Sequence, residues 1–419
     1  MTLGTASAEK LDYETLDVEQ VRGDFPILKK LIYGKPLVFL DSGASSQKPQ
    51  AVIDAVAECY KNYYSNVHRG AHFLSQRSTD AYEDARTTVA KFINAPSDKN
   101  IIFTSGVTES INLVASSWGR KFLNEGDEVL ITEMEHHANI VPWQLLEIEK
   151  GISIKVVPIS DSGEIILEKF NELLNKKTKL VAITECSNVL GTMLPIKNIV
   201  KAAHDVGAIV LVDGAQGIVH RGADVQDLDC DFYGFTGHKL YGPSGVGVLY
   251  GKMDLLEKMP PYQGGGDMID KVSFSGTTFK PPPYKFEAGT PPIAQVIGLG
   301  RAIQYFSDLG INKIMCHEKE LLDYGTDALN SIKGLKIFGS APNKAAIFSF
   351  VVDGVHPFDL AAILDREGVA LRVGQHCAEP LMDRLGIDGT VRASLGLYNN
   401  YSDIDALVGG IEKAKRMLN

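Results

Sequence analysis

Short runs of apolar and β-branched residues alternate with helical patterns through the middle of this 419-residue chain. Such alternation is typical of a parallel sheet covered by crossover helices. Sheets of this kind bind ligands at the carboxyl ends of their strands, so the residues directly after each run are the candidates for chemistry. The runs cover residues 101–104, 128–131, 154–157, 180–183 and 209–212.

The pattern changes in the second half of the chain. Residues 264–266 are all glycine and residues 281–283 are all proline, which predicts irregular backbone at both places. Beyond about residue 300, a helical stretch over residues 303–332 leads into a β-rich run over residues 345–352 and a helix-rich tail. We interpret this part as a smaller α+β domain.

Composition excludes several classes of protein. The 42 basic and 52 acidic residues give a net charge of −10, and no basic run is present that would bind nucleic acid. No apolar run approaches the roughly 18 residues of a membrane span, and residues 1–10 lack the layout of a secretion signal. The five cysteines are scattered without a C-x-x-C pair, which favours a reducing compartment and predicts a cytoplasmic protein.

Lys239 and Asp213 are candidates for binding a carbonyl cofactor. Lys239 lies among small and hydrogen-bonding residues over 235–243, although a lone lysine is ordinarily a solvated surface residue. Asp213 ends the run 209–212 and would project from the carboxyl end of a buried strand. That position suits the protonated ring nitrogen of pyridoxal phosphate (PLP), and a helix N-cap is the alternative.

Two other segments after predicted strands carry polar groups. Residues 104–110 combine hydroxyl groups with backbone amides at a helix start, which suits a phosphate as well as it suits capping of a structural helix. His136 is placed to lie on a planar cofactor and to act as an acid or base. His136 and His137 do not predict a metal site, because adjacent side chains diverge and no H-x-x-x-H spacing is present.

The C-terminal part contributes a thiol and an arginine. Cys377 lies in the glycine-containing segment 371–380, next to Arg372 and His376. Cationic neighbours favour the thiolate and a mobile loop lets it reach a substrate, so Cys377 is a candidate nucleophile. Arg392 offers a planar bidentate donor that suits a substrate α-carboxylate, with an internal salt bridge as the equal alternative.

Taken together, these motifs resemble the class V aminotransferase-like PLP enzymes, and within them the SufS-type (group II) cysteine desulfurases and selenocysteine lyases. The resemblance runs from about residue 21 to near the C-terminus, and agreement at so many spacings excludes chance. The matching segments, in order, are residues 67–70, 134–143, 187–191, 212–216, 235–243 and 372–380.

The resemblance implies roles for individual residues. The catalytic residues would be Lys239, Cys377 and His136. Substrate would contact Arg392 and Asn188 through its carboxylate, with Arg372 beside the cysteine loop and His68 as a further contact. The PLP site would consist of Lys239 as the attached amine, Asp213 at the pyridine nitrogen, Gln216 near the ring hydroxyl, His136 on the ring, Thr108, Thr236 and His238 at the phosphate, and Thr290 reaching that phosphate from the neighbouring subunit.

The resemblance also implies a fold. It is α/β, the PLP-dependent transferase fold (aspartate aminotransferase-like, fold type I), with a mainly parallel seven-stranded sheet in a large domain and a smaller α+β domain. We expect an N-terminal segment over residues 1–37 that joins the small domain, a large PLP-binding domain over 38–300, and a small domain over 301–419 that carries the cysteine loop.

The implied function is conversion of L-cysteine to L-alanine, with the sulfur received on Cys377 as a persulfide for iron–sulfur cluster assembly. A homodimer is expected, and the persulfide would pass to an acceptor of SufE or SufU type or to a SufBCD-type scaffold. The sequence departs from the family at Gln375, where many relatives have a second histidine, and at Glu379, where a neutral residue is frequent. Both changes flank Cys377 and bear on its reactivity and on the choice of acceptor.

Other functions compete with this one. A selenocysteine lyase shares the scaffold and needs the cysteine less, because selenium leaves more readily than sulfur. A non-catalytic scaffold subunit of a sulfur-transfer assembly would not need Lys239, Asp213, His136 and Cys377 together. A dinucleotide enzyme is excluded because residues 242–247 lack G-x-G-x-x-G spacing and precede a strand-like run.

Overall fold

The structure is a computed structural model that describes residues 15–418. Residues 1–14 and residue 419 lie outside the described residues. The start of the predicted N-terminal segment (residues 1–37) lies there. So do residues 1–10, which are predicted to lack a secretion signal. Among the residues that are described, no helix is long and apolar enough to cross a membrane.

The strands are β1 Leu31–Ile32, β2 Lys35–Pro36, β3 Val38–Phe39, β4 Ile101–Thr104, β5 Glu128–Thr132, β6 Ser153–Val157, β7 Thr178–Thr184, β8 Ile209–Asp213, β9 Phe232–Thr236, β10 Gly247–Gly251, β11 Ile269–Ser273, β12 Gly276–Phe279, β13 Leu335–Phe338, β14 Ile347–Val352, β15 Val369–Ala370, β16 Arg372–Gly374 and β17 Thr390–Ser394.

The α-helices are α1 Val18–Gly23, α2 Gln50–Glu58, α3 Phe73–Phe92, α4 Val107–Leu113, α5 Arg120–Phe122, α6 Val141–Lys150, α7 Leu167–Leu173, α8 Ile196–Asp205, α9 Gly217–Arg221, α10 Val225–Leu228, α11 Met253–Lys258, α12 Ile293–Leu309, α13 Ile311–Asn330, α14 Pro357–Arg366, α15 Glu379–Leu385 and α16 Tyr401–Leu418. Short 3₁₀ segments occur at Pro26–Lys29, Asp98–Asn100, His137–Asn139 and Tyr284–Phe286, and π-helical turns at Cys59–Tyr63 and Val114–Gly119.

A seven-stranded sheet forms the centre of the molecule, in the order β4-β10-β9-β8-β7-β5-β6. The five neighbours from β9 to β6 are parallel, and β10 is antiparallel to both β4 and β9. The predicted mainly parallel sheet is therefore confirmed, and all five predicted runs are strands of it.

Both faces of this sheet are buried, which explains why its strands are continuous apolar runs. In β8, Val210 and Val212 pack into one hydrophobic cluster while Leu211 packs into another on the opposite face. Successive side chains of a strand point to opposite faces, so a strand covered on both sides needs apolar residues at every position.

A four-stranded antiparallel sheet, β13-β14-β17-β16, forms a second layer with its own core. The N-terminal part of the chain joins this layer, because β3 pairs in parallel with β15 and Leu40 lies in the same core. Arg22 forms an ion pair with Asp403 at 2.8 Å. These contacts support the predicted division into domains, which stays a prediction.

The stretch predicted to be helical over residues 303–332 is helical over most of its length, in two helices instead of one. Two helices, α12 and α13, cover this region and meet at Gly310, whose φ of +85° lies in the left-handed region that glycine adopts without steric cost. The glycine and proline triplets are irregular as predicted, and the β11–β12 hairpin lies between them.

Candidate active site

The candidate site is a cavity of about 350 Å³ at the carboxyl ends of parallel strands. Thr184, at the end of β7, pairs with Asp213, at the end of β8, and Asp213 in turn pairs with Gly234 of β9. The register of these strands therefore brings residues from separate parts of the chain to one edge. The cavity is lined by Gly43, Ala44, Val107, Thr108, His136, Thr184, Cys186, Asn188, Asp213, Ala215, Gln216, Thr236, His238, Lys239, Arg372, His376, Cys377 and Arg392.

Lys239 and Asp213 both line this cavity, and their opposite charges interact. Burial lowers the pKa of Lys239 to about 8, and the charge of Asp213 opposes that shift. Burial also raises the pKa of Asp213, against a hydrogen bond of 2.9 Å that Oδ1 accepts from the Ala215 amide. A lysine with a lowered pKa has a larger neutral fraction, which is the form that attacks a carbonyl carbon.

His136 supplies a neutral imidazole. Its pKa is lowered to about 4 by burial and by the charge of Lys239. Nδ1 accepts a hydrogen bond of 3.0 Å from the Ala138 amide, so the ring proton resides on Nε2. His136 thus carries an N–H that can donate inside the cavity.

Glu135 positions the turn that bears His136, and the sequence interpretation missed it. Its carboxylate accepts from Thr132 Oγ1 at 2.6 Å, from Asn139 Nδ2 at 2.8 Å and from the Thr184 amide at 3.1 Å. These bonds join the ends of β5 and β7, and burial raises the pKa of Glu135 to about 7. The sequence carries no signal for this role beyond the position of Glu135 directly before His136.

Cys377 is exposed and lies in a loop between β16 and α15. His376 and Cys377 both have φ of +55°, a conformation that non-glycine residues rarely adopt. Three bonds hold the loop there. The His137 amide donates to the Cys377 carbonyl at 2.8 Å, the His137 ring nitrogen Nε2 accepts from the Glu379 amide at 3.0 Å, and Asn188 Nδ2 donates to the His376 carbonyl at 2.8 Å.

His137 therefore contacts the cysteine loop at two points, the Cys377 carbonyl and the Glu379 amide, a role that the sequence did not indicate. Burial lowers the pKa of the neighbouring His376 to about 3, so that ring is neutral beside Cys377. Gln375 and Glu379, the two departures from the family pattern, contact one another at 3.3 Å on the exposed side of the loop.

Arg392 is buried and faces the cavity, with 3% of its surface exposed. Its Nη1 donates to the Asn188 carbonyl at 2.8 Å, and Nη2 lies 3.7 Å from Asp41 Oδ1. Within residues 15–418, Nε has no hydrogen-bond partner. The structure is therefore compatible with both interpretations of Arg392. Its contact with Asp41 is a long ion pair, and its Nε is a free donor for the carboxylate of a substrate.

The residues predicted to bind a phosphate also reach the cavity. Thr108 lies in the first turn of α4, Thr236 ends β9, and His238 directly precedes Lys239. Thr236 Oγ1 is buried and has no partner in the described part of the chain. Gln216 lines the same cavity and donates to the Gly43 carbonyl at 2.7 Å. Together with Lys239, the unpartnered Thr236 hydroxyl and the nearby side chains of Thr108 and His238 fit an anionic carbonyl cofactor such as PLP.

His68 and Thr290 do not reach this cavity. His68 bonds to Glu83 at 2.8 Å and lines a separate small cleft together with Asp267 and Gly289. Thr290 is exposed at the surface beside that cleft. The other predicted site residues line the one cavity around Lys239.

The comparisons with known proteins agree with this geometry. Residues 38–407 match the aminotransferase class-V family. The chain is 50% identical over 406 residues to a cysteine desulfurase of Dickeya dadantii, covering 97% of this chain and 98% of that protein. It is 50% identical to a cysteine desulfurase of Synechococcus elongatus, of which it spans 63%.

A solved structure is also similar. The crystal structure of the cysteine desulfurase CsdA (S-sulfonic acid) from Escherichia coli has a TM-score of 0.90 and 42% sequence identity, covering 97% of this chain and 100% of that chain.

Proposed function

Because this chain belongs to the class V aminotransferase family, and within it to the cysteine desulfurases, we propose that it takes sulfur from L-cysteine onto the Cys377 thiol and releases L-alanine. One observation carries the residue assignment: the exposed thiol of Cys377, the buried amine of Lys239 and the free donor of Arg392 all face a single cavity. A nucleophile, a base and an anion-binding group are what this reaction requires.

The enzyme is PLP-dependent, and the residues around the cavity fit that cofactor. Lys239 would hold it by its amine, Asp213 would lie at the ring nitrogen, and Gln216 near the ring hydroxyl. The phosphate would bind to Thr108, Thr236 and His238. When bound, PLP withdraws electrons from the substrate Cα and so weakens the neighbouring bonds.

Arg392 and Asn188 bind the substrate through its carboxylate. Arg392 Nε is the free buried donor, and its Nη1 is held by the Asn188 carbonyl, so the guanidinium group is already oriented before substrate arrives. Lys239 Nζ, which is freed when the substrate amine takes its place, then takes the proton from the substrate Cα, a role for which its pKa of about 8 is suited.

Sulfur transfer is a displacement at the substrate sulfur. The Cys377 thiolate forms a bond to that sulfur while the bond between the sulfur and the substrate Cβ breaks, and the electron pair stays with the carbon fragment. That fragment takes up a proton at Cβ, for which the Nε2–H of His136 is a donor. Lys239 Nζ returns the proton that it took from Cα, and the fragment leaves as alanine. The enzyme retains the extra sulfur as a Cys377 persulfide.

Delivery of the persulfide follows from the exposure of Cys377. An acceptor of SufE or SufU type, or a SufBCD-type scaffold, would collect the sulfur for iron–sulfur cluster assembly.

A homodimer in which Thr290 contacts the phosphate in the neighbouring subunit stays a prediction. The position of Thr290 at the surface, outside the cavity around Lys239, supports it. The five free cysteines support a reducing compartment such as the cytoplasm.

Cys377→Ala tests the assignment, with Cys316→Ala as the matched control because Cys316 is the other exposed cysteine. We expect wild type and Cys316→Ala to absorb at about 420 nm and to form alanine from L-cysteine, and Cys377→Ala to absorb there without forming alanine. A colourless wild-type protein would contradict PLP binding by Lys239, and a Cys377→Ala variant with full activity would contradict the role of the thiol.

A further inference from the structure

Asp41 contacts both arginines of the cavity, although the mechanism assigns it no role. It follows β3 and forms a β-bridge to Ser394 at the end of β17. Its carboxylate accepts from Arg372 in a bidentate manner, Nε to Oδ1 at 3.2 Å and Nη2 to Oδ2 at 2.7 Å. The same Oδ1 lies 3.7 Å from Nη2 of Arg392.

The two arginines are cross-strand partners. Arg372 of β16 lies directly opposite Arg392 of β17 in an antiparallel pair. Like charges in this arrangement repel, and the repulsion is larger here because the Arg392 side chain is only 4% exposed. Asp41 is the carboxylate that both guanidinium groups share, so it is what allows them to stand side by side.

Charge at this end of the cavity follows from the same contacts. While the Cys377 thiol carries its proton, two guanidinium groups and one carboxylate leave one net positive charge, which matches a ligand with one carboxylate. His376 adds no charge, because its ring is neutral. Lys239 and Asp213, the charged groups deeper in the lining, offset one another.

We propose that Asp41 is a positioning and specificity-determining residue: it orients Arg372 and Arg392 and limits the charge at this end of the cavity to that of a single carboxylate. Amino acids with one carboxylate are then preferred over dianions. This inference deepens the proposed desulfurase function and rests on it for the identity of the carboxylate ligand.

Asp41→Asn removes the charge at constant size. We expect the KM for L-cysteine to rise about tenfold while kcat stays within about threefold, because the arginines contact the carboxylate in the ground state and transition state alike. The probes for charge are acetate and malonate, titrated calorimetrically into the PLP-loaded protein. The ratio of malonate to acetate affinity should rise about tenfold, since the added positive charge acts on the second carboxylate.

Arg372→Gln changes the charge in the opposite direction and should move the same ratio towards acetate. This second variant tests the inference even if Asp41→Asn does not fold, because Arg372 is half-exposed and its replacement is easily accommodated. The matched control is Asp161→Asn, which breaks an Asp–Arg pair to Arg384 at the surface, away from the cavity, and should leave the KM and the affinity ratio unchanged.

A merely structural role for Asp41 would weaken acetate and malonate equally. An unchanged affinity ratio in Asp41→Asn or in Arg372→Gln would therefore overturn the inference, as would an unchanged KM in Asp41→Asn. Anion binding is measured without turnover, so it tests Asp41 independently of the proposed function. If the wild-type protein forms no alanine but the malonate-to-acetate ratio rises in Asp41→Asn and falls in Arg372→Gln, the proposed function is refuted and the role of Asp41 stands.

Discussion

At the scale of single residues, the turn that bears His136 depends on the buried carboxyl group of Glu135. Glu135 is 1% exposed and, within residues 15–418, accepts hydrogen bonds from three neutral groups: the Thr132 hydroxyl, the Asn139 side-chain amide and the Thr184 backbone amide. Its pKa is raised from 4.5 to about 7, because burial penalises the charged form more than these bonds favour it. Such a group makes the stability of the protein depend on pH.

We predict that Glu135→Gln reveals this dependence. The folded state holds the proton of Glu135 more tightly than the unfolded state, so its contribution is lost as the pH rises from about 4.5 towards 7. The amide of the variant does not titrate. The free energy of unfolding of wild type, minus that of the variant, should therefore fall by about 3 kcal/mol over this range.

Urea unfolding at a series of pH values between about 4.5 and 8 measures the difference. Glu185, whose pKa is also raised to about 7 by burial, is present in both proteins and cancels. A difference that does not change with pH would show that the pKa of Glu135 is the same in the folded and the unfolded protein.

At the scale of elements, the cysteine loop is held by contacts from the 3₁₀ segment His137–Asn139, which follows β5. Its two left-handed residues, His376 and Cys377, are costly conformations that persist only where the surroundings enforce them. His137 provides two of the enforcing bonds, one from its amide and one from its ring. The ring bond also caps the start of α15, because it satisfies the Glu379 amide.

His137→Ala should loosen this loop without removing the thiol. We expect exchange of the Glu379 amide with deuterium to become about tenfold faster or more, and kcat/KM for L-cysteine to fall by a similar factor. Hydrogen exchange followed by mass spectrometry, together with alanine release, measures the two effects.

His356→Ala is the control for this substitution. His356 also caps a helix, accepting at 3.4 Å from the Phe358 amide at the start of α14, but it does not line the cavity. Its replacement should leave kcat/KM unchanged. Unchanged protection of the Glu379 amide in His137→Ala would mean that the loop is held by other contacts.

At the scale of the whole molecule, an aromatic cluster joins regions that are far apart in the chain. The Phe25 ring lies 4.8 Å from the Tyr398 ring and 6.1 Å from the rings of Tyr241 and Tyr305. Tyr241 follows Lys239 by two residues, and its hydroxyl accepts from the Leu397 amide at 3.0 Å. Phe25, in the N-terminal segment, thus packs against Tyr241, which lies in the same stretch of backbone as Lys239.

Phe25→Ala should lower the free energy of unfolding by about 3–5 kcal/mol, because it opens a cavity among fully buried rings. Phe358→Ala, at a position that is 62% exposed, should cost less than about 1 kcal/mol. Chemical denaturation of both variants measures the difference. Equal losses would indicate that Phe25 does not join the regions energetically.

The sequence by itself determined the central sheet and many of the groups around the cavity. Strands buried on both faces are continuous apolar runs, and parallel strands end at one edge, so Asp213 and His136 could be placed from position alone. The break at Gly310 was missed, because the helical pattern continues on both sides and a single glycine does not by itself end a predicted helix.

Only the tertiary structure decided which side chains act on these groups. Asp41 meets Arg372 across 331 positions of sequence, and Glu379 meets His137 across 242. The tertiary structure also places His68 and Thr290 outside the cavity that is lined by the other predicted site residues. Local patterns report burial and strand direction, whereas contacts between distant segments depend on how the two sheets pack together, which no local pattern encodes.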